Sequence, residues 1–176
     1  MKKNTMWKIS FVAESAIIAA IYAMMTLVLA PVSFGPVQFR LSEALCILPV
    51  FMPSAIPGLT VGCFIANFVG SSFPLDLIFG TLATLIASIL TRKFRNKKIK
   101  NLPVISSIFP VIVNAVIIGI EICFSANAHK NMREFTVLFF SSAGTIALGE
   151  FVCCCIIGLF LYKAITKTEI LKKFNR

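Results

Sequence analysis

Between Ile9 and Tyr162 the chain is a succession of long apolar runs, interrupted by short Pro- and Gly-bearing breaks and one basic loop. About 20 apolar residues are enough to cross a bilayer. Of the 176 residues, 58% are hydrophobic and only 14% are charged, where a soluble domain of this size carries roughly 25% charged residues. One globular core cannot bury that much apolar surface, and lipid is its natural solvent. The chain therefore reads as an all-α, polytopic membrane protein forming a single domain over residues 1–176. Its expected spans are 9–30, 41–56, 59–71, 75–91, 102–126 and 135–162, separated by breaks such as Pro31/Gly35/Pro36, Pro57/Gly58 and Phe73/Pro74. The second and third runs are short for a ~30 Å hydrocarbon core and could form a re-entrant hairpin.

The net charge of +10 could point to nucleic acid, but its distribution points to topology. Fourteen of the 17 Lys and Arg residues fall in three short segments. These are Lys2/Lys3/Lys8, then Arg92/Lys93/Arg95/Lys97/Lys98/Lys100, then Lys163/Lys167/Lys172/Lys173/Arg176. Six spans put all three segments on one side of the membrane, and dropping one span would separate them. Positive charge collects on the cytoplasmic side, so a bundle of six transmembrane helices with cytoplasmic N- and C-termini is the self-consistent count. No aromatic or Gly-rich RNA-binding pattern interleaves the basic residues. The N-terminus lacks the small-residue cleavage site of a secretory signal, so the first run is expected to be retained.

The informative residues are those in the wrong solvent. An ionisable group at mid-bilayer costs about 2.5–3.5 kcal/mol or more and normally turns inward. The set is Glu14, Arg40, Glu43, Asn67, Asp76, Asn114, Glu121 and Glu150. With the N-terminus inside, seven of these eight lie at mid-depth or in the outer half, and only Glu14 lies near the inner surface. That bias implies a polar, inward-facing ligand site open to the exterior. Gln38 and the aromatics Phe34, Phe39, Phe73 and Phe124 add hydrogen bonds and flat surfaces. Each residue also has a plainer role open to it. Arg40 and Glu43, three apart, can pair with each other. Asp76 can cap its helix, Asn67 and Asn114 can bond between helices, and Glu14 can reach the headgroups. His129, beside Lys130, reads as solvated.

Other signals are bland or absent. Small residues stripe the helices, as at Ala13/Ala16/Ala20/Ala23 and Gly58/Gly62/Ala66/Gly70, which lets helix backbones approach closely in lipid. The six cysteines form no CxxC pair and read as small hydrophobes, not as a metal or disulfide site. There is no GxxxxGK[ST] loop and no HExxH motif. No nucleophile, base and metal constellation appears, so neither an enzyme nor a cofactor is expected. Active transport must then draw energy from a partner or an ion gradient.

The stretch from Leu29 to Leu45, with Pro31, Gly35, Pro36, Gln38, Phe39, Arg40, Ser42 and Glu43, closely resembles the first outer loop of the queuosine-precursor transporter (QueT) family. Leu48-Pro49, Ala55 to Leu59, Ala66-Asn67, Asp76 to Leu85, Asn114-Ala115, Gly119 to Glu121 and Gly149-Glu150 fit the same pattern, so the resemblance covers residues 12–162. It implies the substrate-binding S component of an energy-coupling-factor (ECF) importer in a bacterial cell membrane. The implied partners are a separate transmembrane subunit and two cytoplasmic ATPases, and the implied substrate is a 7-deazaguanine base or queuine. The resemblance also turns Ala16 and Ala20, with Ala19 and Ala23, into an expected partner-docking face. A guanine-like edge offers paired N–H donors to carboxylates, and its carbonyl suits Arg, Gln or Asn. Glu43, Glu121 and Glu150 supply acceptors here, and Arg40, Gln38, Asn67 and Asn114 supply donors. The rival reading is a proton-coupled secondary transporter working through Glu121 or Glu150.

Overall fold

The computed structural model describes residues 2–35, 39–71 and 74–168, and all of their extended regular elements are helical. Helix α1 runs over Lys2–Val28 and is followed by a single turn, α2, at Ala30–Ser33. A 3-10 helix covers Leu41–Val50. Helices α3 (Ala55–Gly70), α4 (Asp76–Lys93) and α5 (Val104–Ser125) follow. After a short 3-10 turn at Ala128–Lys130, α6 (Met132–Glu150) passes through a π-helical segment, Phe151–Ile157, into α7 (Gly158–Lys167). Among the described residues, three stretches are long and apolar enough to cross a membrane by themselves: Met6–Val28, Val104–Ser125 and the continuous Met132–Lys167.

The second apolar run departs from expectation. Residues 41–56 do not form one α-helix. The 3-10 helix stops at Val50, and α3 begins at Ala55, four residues before the expected start at Leu59. Pro57 sits in the first turn of α3, where its missing N–H has no helical partner to lose. Pro49 lies inside the 3-10 helix. A 3-10 helix rises about 2.0 Å per residue, so ten residues cover ~20 Å, and side chains three apart eclipse. Arg40, Glu43, Cys46 and Pro49 consequently form one buried row. This short element is also the central one, packed against α1, α3, α4, α5, the π segment and α7.

Glycine brings α1 and α3 together. A Cβ on Gly62 would sit 2.8 Å from both Ala19 O and Tyr22 Cβ, and one on Gly58 would sit 2.8 Å from Ser15 O. The core of this half joins Ile18, Tyr22 and Ala23 to Cys46, Leu59, Cys63 and Ala66. This packing divides the alanine stripe of α1. Ala19 and Ala23 are buried in the interior, and Ala16 and Ala20 are exposed on the outside of the bundle. On the far side, Val111 packs with Cys154, Cys155 and Ala147.

Contacts at one end of the bundle join the middle basic loop to the last helix and to the end of the 3-10 helix. Arg92 Nη1 donates to Pro49 O at 2.9 Å, Phe51 stacks on Tyr162, and Lys98 Nζ lies over the Tyr162 ring. Ser15 Oγ donates to Ser54 O at 2.9 Å, which ties α1 to the same turn. Near this end Glu14, half-buried, accepts from Ser54 Oγ at 2.5 Å.

Candidate functional site

Two groups of buried polar side chains occupy the rest of the core. The first lies at the end opposite the basic segments, where the chain enters the 3-10 helix and α4 begins. Arg40 immediately precedes the 3-10 helix. Its Nε donates to Ser33 O at 3.3 Å, and its guanidinium lies 5.0 Å from the centre of the Phe34 ring. Asn67, near the end of α3, donates through Nδ2 to Asp76 O at 2.9 Å and to Cys63 Sγ at 3.4 Å, linking α3 to the start of α4. Asp76 is the first residue of α4, where the helix dipole favours a negative charge, and it accepts a hydrogen bond from Ser71 Oγ. Glu121 comes from α5, and its carboxyl interacts with Asp76 and Arg40. Gly80 makes the convergence possible. A Cβ there would lie 2.6 Å from Asn67 Nδ2 and 3.9 Å from Arg40 Nη1.

Buried polar atoms are nearly always hydrogen-bonded, and each exception asks for a reason. Arg40 Nη2, Asn67 Oδ1 and Glu121 Oε2 are all buried and have no hydrogen-bond partner among the described residues. One is a donor and two are acceptors, and they come from three separate elements. A ligand with complementary edges would complete all three, which is the arrangement a recognition site requires.

The second group lies deeper, around Glu43. Tyr22 OH donates to Glu43 Oε1, and Cys46 Sγ donates to Oε2 at 2.8 Å. Both carboxyl oxygens are thus engaged, and the Arg40–Glu43 hydrogen bond that the sequence allowed is replaced by bonds to other partners. Glu150, the last residue of α6, accepts from Cys154 Sγ at 3.4 Å, and Asn114 lies beside it. The π segment starts one residue later, and its wider turn buries Cys153, Cys154 and Cys155 in succession. Cys155 Sγ reaches Ser107 O at 3.4 Å, and Cys154 Sγ also reaches Glu43 O at 3.4 Å. Donor atoms of Glu43, Glu150 and Cys154 lie within 4.8 Å of one another, which is close enough to hold a cation. The Glu43 oxygens and the Cys154 thiol are instead occupied in bonding to protein groups. Thr26 and Ser42, with their hydroxyls 2.6 Å apart, extend this network between α1 and the 3-10 helix.

The structure therefore divides the residues expected to bind substrate. Arg40, Asn67, Asp76 and Glu121 meet at one end. Glu43, Asn114 and Glu150 lie beneath them in a mutually bonded layer. Gln38 and Phe73 lie outside the described residues, and Phe124 is half exposed. Tyr22, Cys46, Cys154 and Gly80 escaped the sequence reading. The cysteines read as small hydrophobes, Tyr22 was not singled out, and Gly80 entered as part of the Asp76 to Leu85 stretch and not by itself. Tyr22 carried one usable signal, since a buried Tyr hydroxyl needs a partner.

Comparison with known proteins supplies a family. The model described as "QueT transporter" matches residues 12–167. The "Queuosine precursor transporter QueT" of Lactococcus lactis subsp. cremoris (strain MG1363) is 32% identical over 173 residues, covering 95% of this chain and 96% of that protein. No solved structure gives a significant match.

Proposed function

The chain belongs to the QueT transporter family, and from that premise we propose that it is the substrate-binding S component of an ECF-type importer for a queuosine precursor, a 7-deazaguanine base or queuine. It is a transporter and not an enzyme, and it is a multi-pass protein of the bacterial cell membrane. In the proposed topology all six runs cross the bilayer, with the 3-10 helix as the short second span. The basic end faces the cytoplasm and the Arg40–Glu121 end faces the exterior.

The observation that carries this reading is that Arg40 Nη2, Asn67 Oδ1 and Glu121 Oε2 are buried without a described partner, on side chains gathered at one end of the bundle. The base would be held among Arg40, Asn67, Asp76 and Glu121, with Gln38 in the adjoining segment. Glu43, Asn114 and Glu150 would form the floor beneath it. The chain carries no phosphate-binding loop, so a transmembrane partner and two cytoplasmic ATPases would supply the energy. The exposed pair Ala16 and Ala20 is available to dock that partner, and Ala19 and Ala23 would act from behind by holding α1 against α3.

The test is calorimetry on the purified chain with a 7-deazaguanine base, repeated with Glu121→Gln. The expected result is saturable binding that weakens at least tenfold in the variant, with thermal stability unchanged. Absence of binding to deazaguanines and queuine alike refutes the substrate assignment. Uptake by the chain alone in proteoliposomes, driven by a proton gradient and indifferent to ATP, would replace the multi-subunit importer with the proton-coupled reading.

A further inference from the structure

The loop between α4 and α5 carries positive charge that the fold leaves uncompensated. Six cations fall within residues 92–100, and they divide into two kinds. The arginines are used by the fold. Arg92 Nη1 donates to Pro49 O at 2.9 Å and to Val50 O at 3.4 Å, and Arg95 Nη1 donates to Arg92 O at 3.4 Å. The lysines, Lys93, Lys97, Lys98 and Lys100, are all exposed. Lys93 ends α4, where the helix dipole favours a cation. Lys97, Lys98 and Lys100 lack that reason, because they precede α5, whose N-terminus is the positive end of its dipole. Nor do the described residues supply a counter-charge. Of the seven acids, Glu43, Asp76, Glu121 and Glu150 are buried in the core. Glu14 accepts from Ser54 at 2.5 Å and Glu134 from Asn131 at 3.1 Å. Glu169 lies outside the described residues.

The same loop is held in a definite shape. Ile99 N donates to Leu102 O at 2.8 Å and Leu102 N to Ile99 O at 3.0 Å, and Lys100 and Asn101 between them have φ of 49° and 63°. Two central residues at positive φ make the tight two-residue turn of a hairpin, a backbone conformation that lysine seldom adopts. Lys97 Nζ lies 5.2 Å from the centre of the Phe94 ring, which packs on Phe109 with ring centres 4.8 Å apart. Lys98 Nζ lies 5.8 Å from the centre of the Tyr162 ring. The turn leaves Ile99, between Lys98 and Lys100, 51% exposed. Two membrane-length stretches end beside this loop, since α5 begins at Val104 and the last stretch closes at Lys167, one turn past Tyr162. Ammonium groups over aromatic rings, with an exposed isoleucine among them at the ends of two spans, match the boundary of a lipid leaflet. There phosphates meet the lysines and the acyl region meets the isoleucine. A soluble polyanion would engage the lysines and leave Ile99 in water.

We infer that residues 97–100 form a seat for the headgroup of an anionic phospholipid, with Lys97, Lys98 and Lys100 around its phosphate and Ile99 inserted below it. The seat is at the opposite end from the Arg40–Glu121 group and does not rest on the proposed substrate. The experiment reconstitutes the full chain in phosphatidylcholine vesicles that hold a trace of spin-labelled phosphatidylglycerol or spin-labelled phosphatidylcholine. The wild type is expected to associate with phosphatidylglycerol about threefold more strongly. The preference should fall toward one when Lys97→Gln, Lys98→Gln and Lys100→Gln are combined, and should largely persist when Lys163→Gln and Lys167→Gln are combined at the same end. In a second measurement, Ile99→Trp is placed in a Trp7→Phe background, which removes the one natural tryptophan. Its emission should be quenched by phosphatidylglycerol with brominated acyl chains. All the lysines concerned are exposed, so their variants should fold, and the quenching measurement needs none of them. No preference in the wild type, or one that survives the triple variant, overturns the inference. An equal loss in the two lysine variants overturns it in favour of diffuse charge. Unquenched emission overturns it in favour of a soluble anion. None of these outcomes touches the proposed function, which calorimetry with the deazaguanine tests separately.

Discussion

The two buried polar groups are built from the same kinds of side chain and lie next to each other, yet they are finished differently. Around Glu43, protein supplies the donors. Tyr22, Cys46 and Cys154 reach the carboxyl oxygens of Glu43 and Glu150 from α1, the 3-10 helix and the π segment. Around Arg40, the protein leaves Arg40 Nη2, Asn67 Oδ1, Glu121 Oε2 and the hydroxyl of the adjoining Ser33 without a described partner. Leaving a buried polar atom unsatisfied costs about 1–3 kcal/mol, more where it is charged, so the upper group is expensive in a way the lower group is not. The difference separates a layer whose bonds tie α1, the 3-10 helix, the end of α6 and the π segment together from one that, in the function proposed above, receives the ligand.

Four substitutions test that division, beginning with the largest effect. Glu43→Ala removes the acceptor for both Tyr22 OH and Cys46 Sγ and opens a void at the centre of the bundle. It should lower stability by about 3 kcal/mol or more, read as a large fall in the thermal midpoint in detergent. A midpoint close to wild type would mean the lower layer is not structural. Gly80→Ala sets a Cβ 2.6 Å from Asn67 Nδ2 and pushes the amide out of place. Ligand affinity should fall about tenfold, equivalent to ~1.4 kcal/mol, with a smaller loss of stability. A variant that binds like wild type would detach Asn67 from the site.

Tyr22→Phe deletes one donor to Glu43 and nothing in the upper group. It should cost stability on the order of 1 kcal/mol while calorimetric affinity stays constant, so a loss of affinity larger than the loss of stability would merge the two layers into one site. Ser88→Ala should do least. Ser88 Oγ is also buried without a described partner, but it is a lone hydroxyl on α4, away from the Arg40 cluster. A stability change within about 0.5 kcal/mol and unaltered binding would show that an isolated open hydroxyl is not a ligand mark, and that convergence is what matters. Loss of binding in this variant would extend the site toward the basic end.

Much of this was legible in the residues. The run of apolar stretches led to an all-helical membrane bundle, and the contacts of Lys98 with Tyr162 and of Phe51 with Tyr162 bring the middle basic loop and the last helix to the same end. The list of eight misplaced polar residues contains every charged member of both layers. The 3-10 geometry of Leu41–Val50 was not legible, because an apolar run with a proline near its end is compatible with either helix, and only packing on all sides selects the longer rise per residue. Nor was the division of the alanine stripe legible, since its i, i+3 and i+4 spacing fits either an inner or an outer face. Gly58 and Gly62 of a different helix decide which alanines are covered.

By itself, then, the sequence determined the solvent, the all-helical class and which side chains must turn away from lipid, because each follows from local composition and the energy of placing a group in hydrocarbon. Only the tertiary structure decided which of those side chains satisfy one another and which remain open. That choice depends on partners far apart in the chain. Tyr22 bonds to Glu43 across 21 residues, and Cys154 reaches the Glu43 carbonyl across 111. Helical periodicity assigns a residue its face but cannot say what stands opposite.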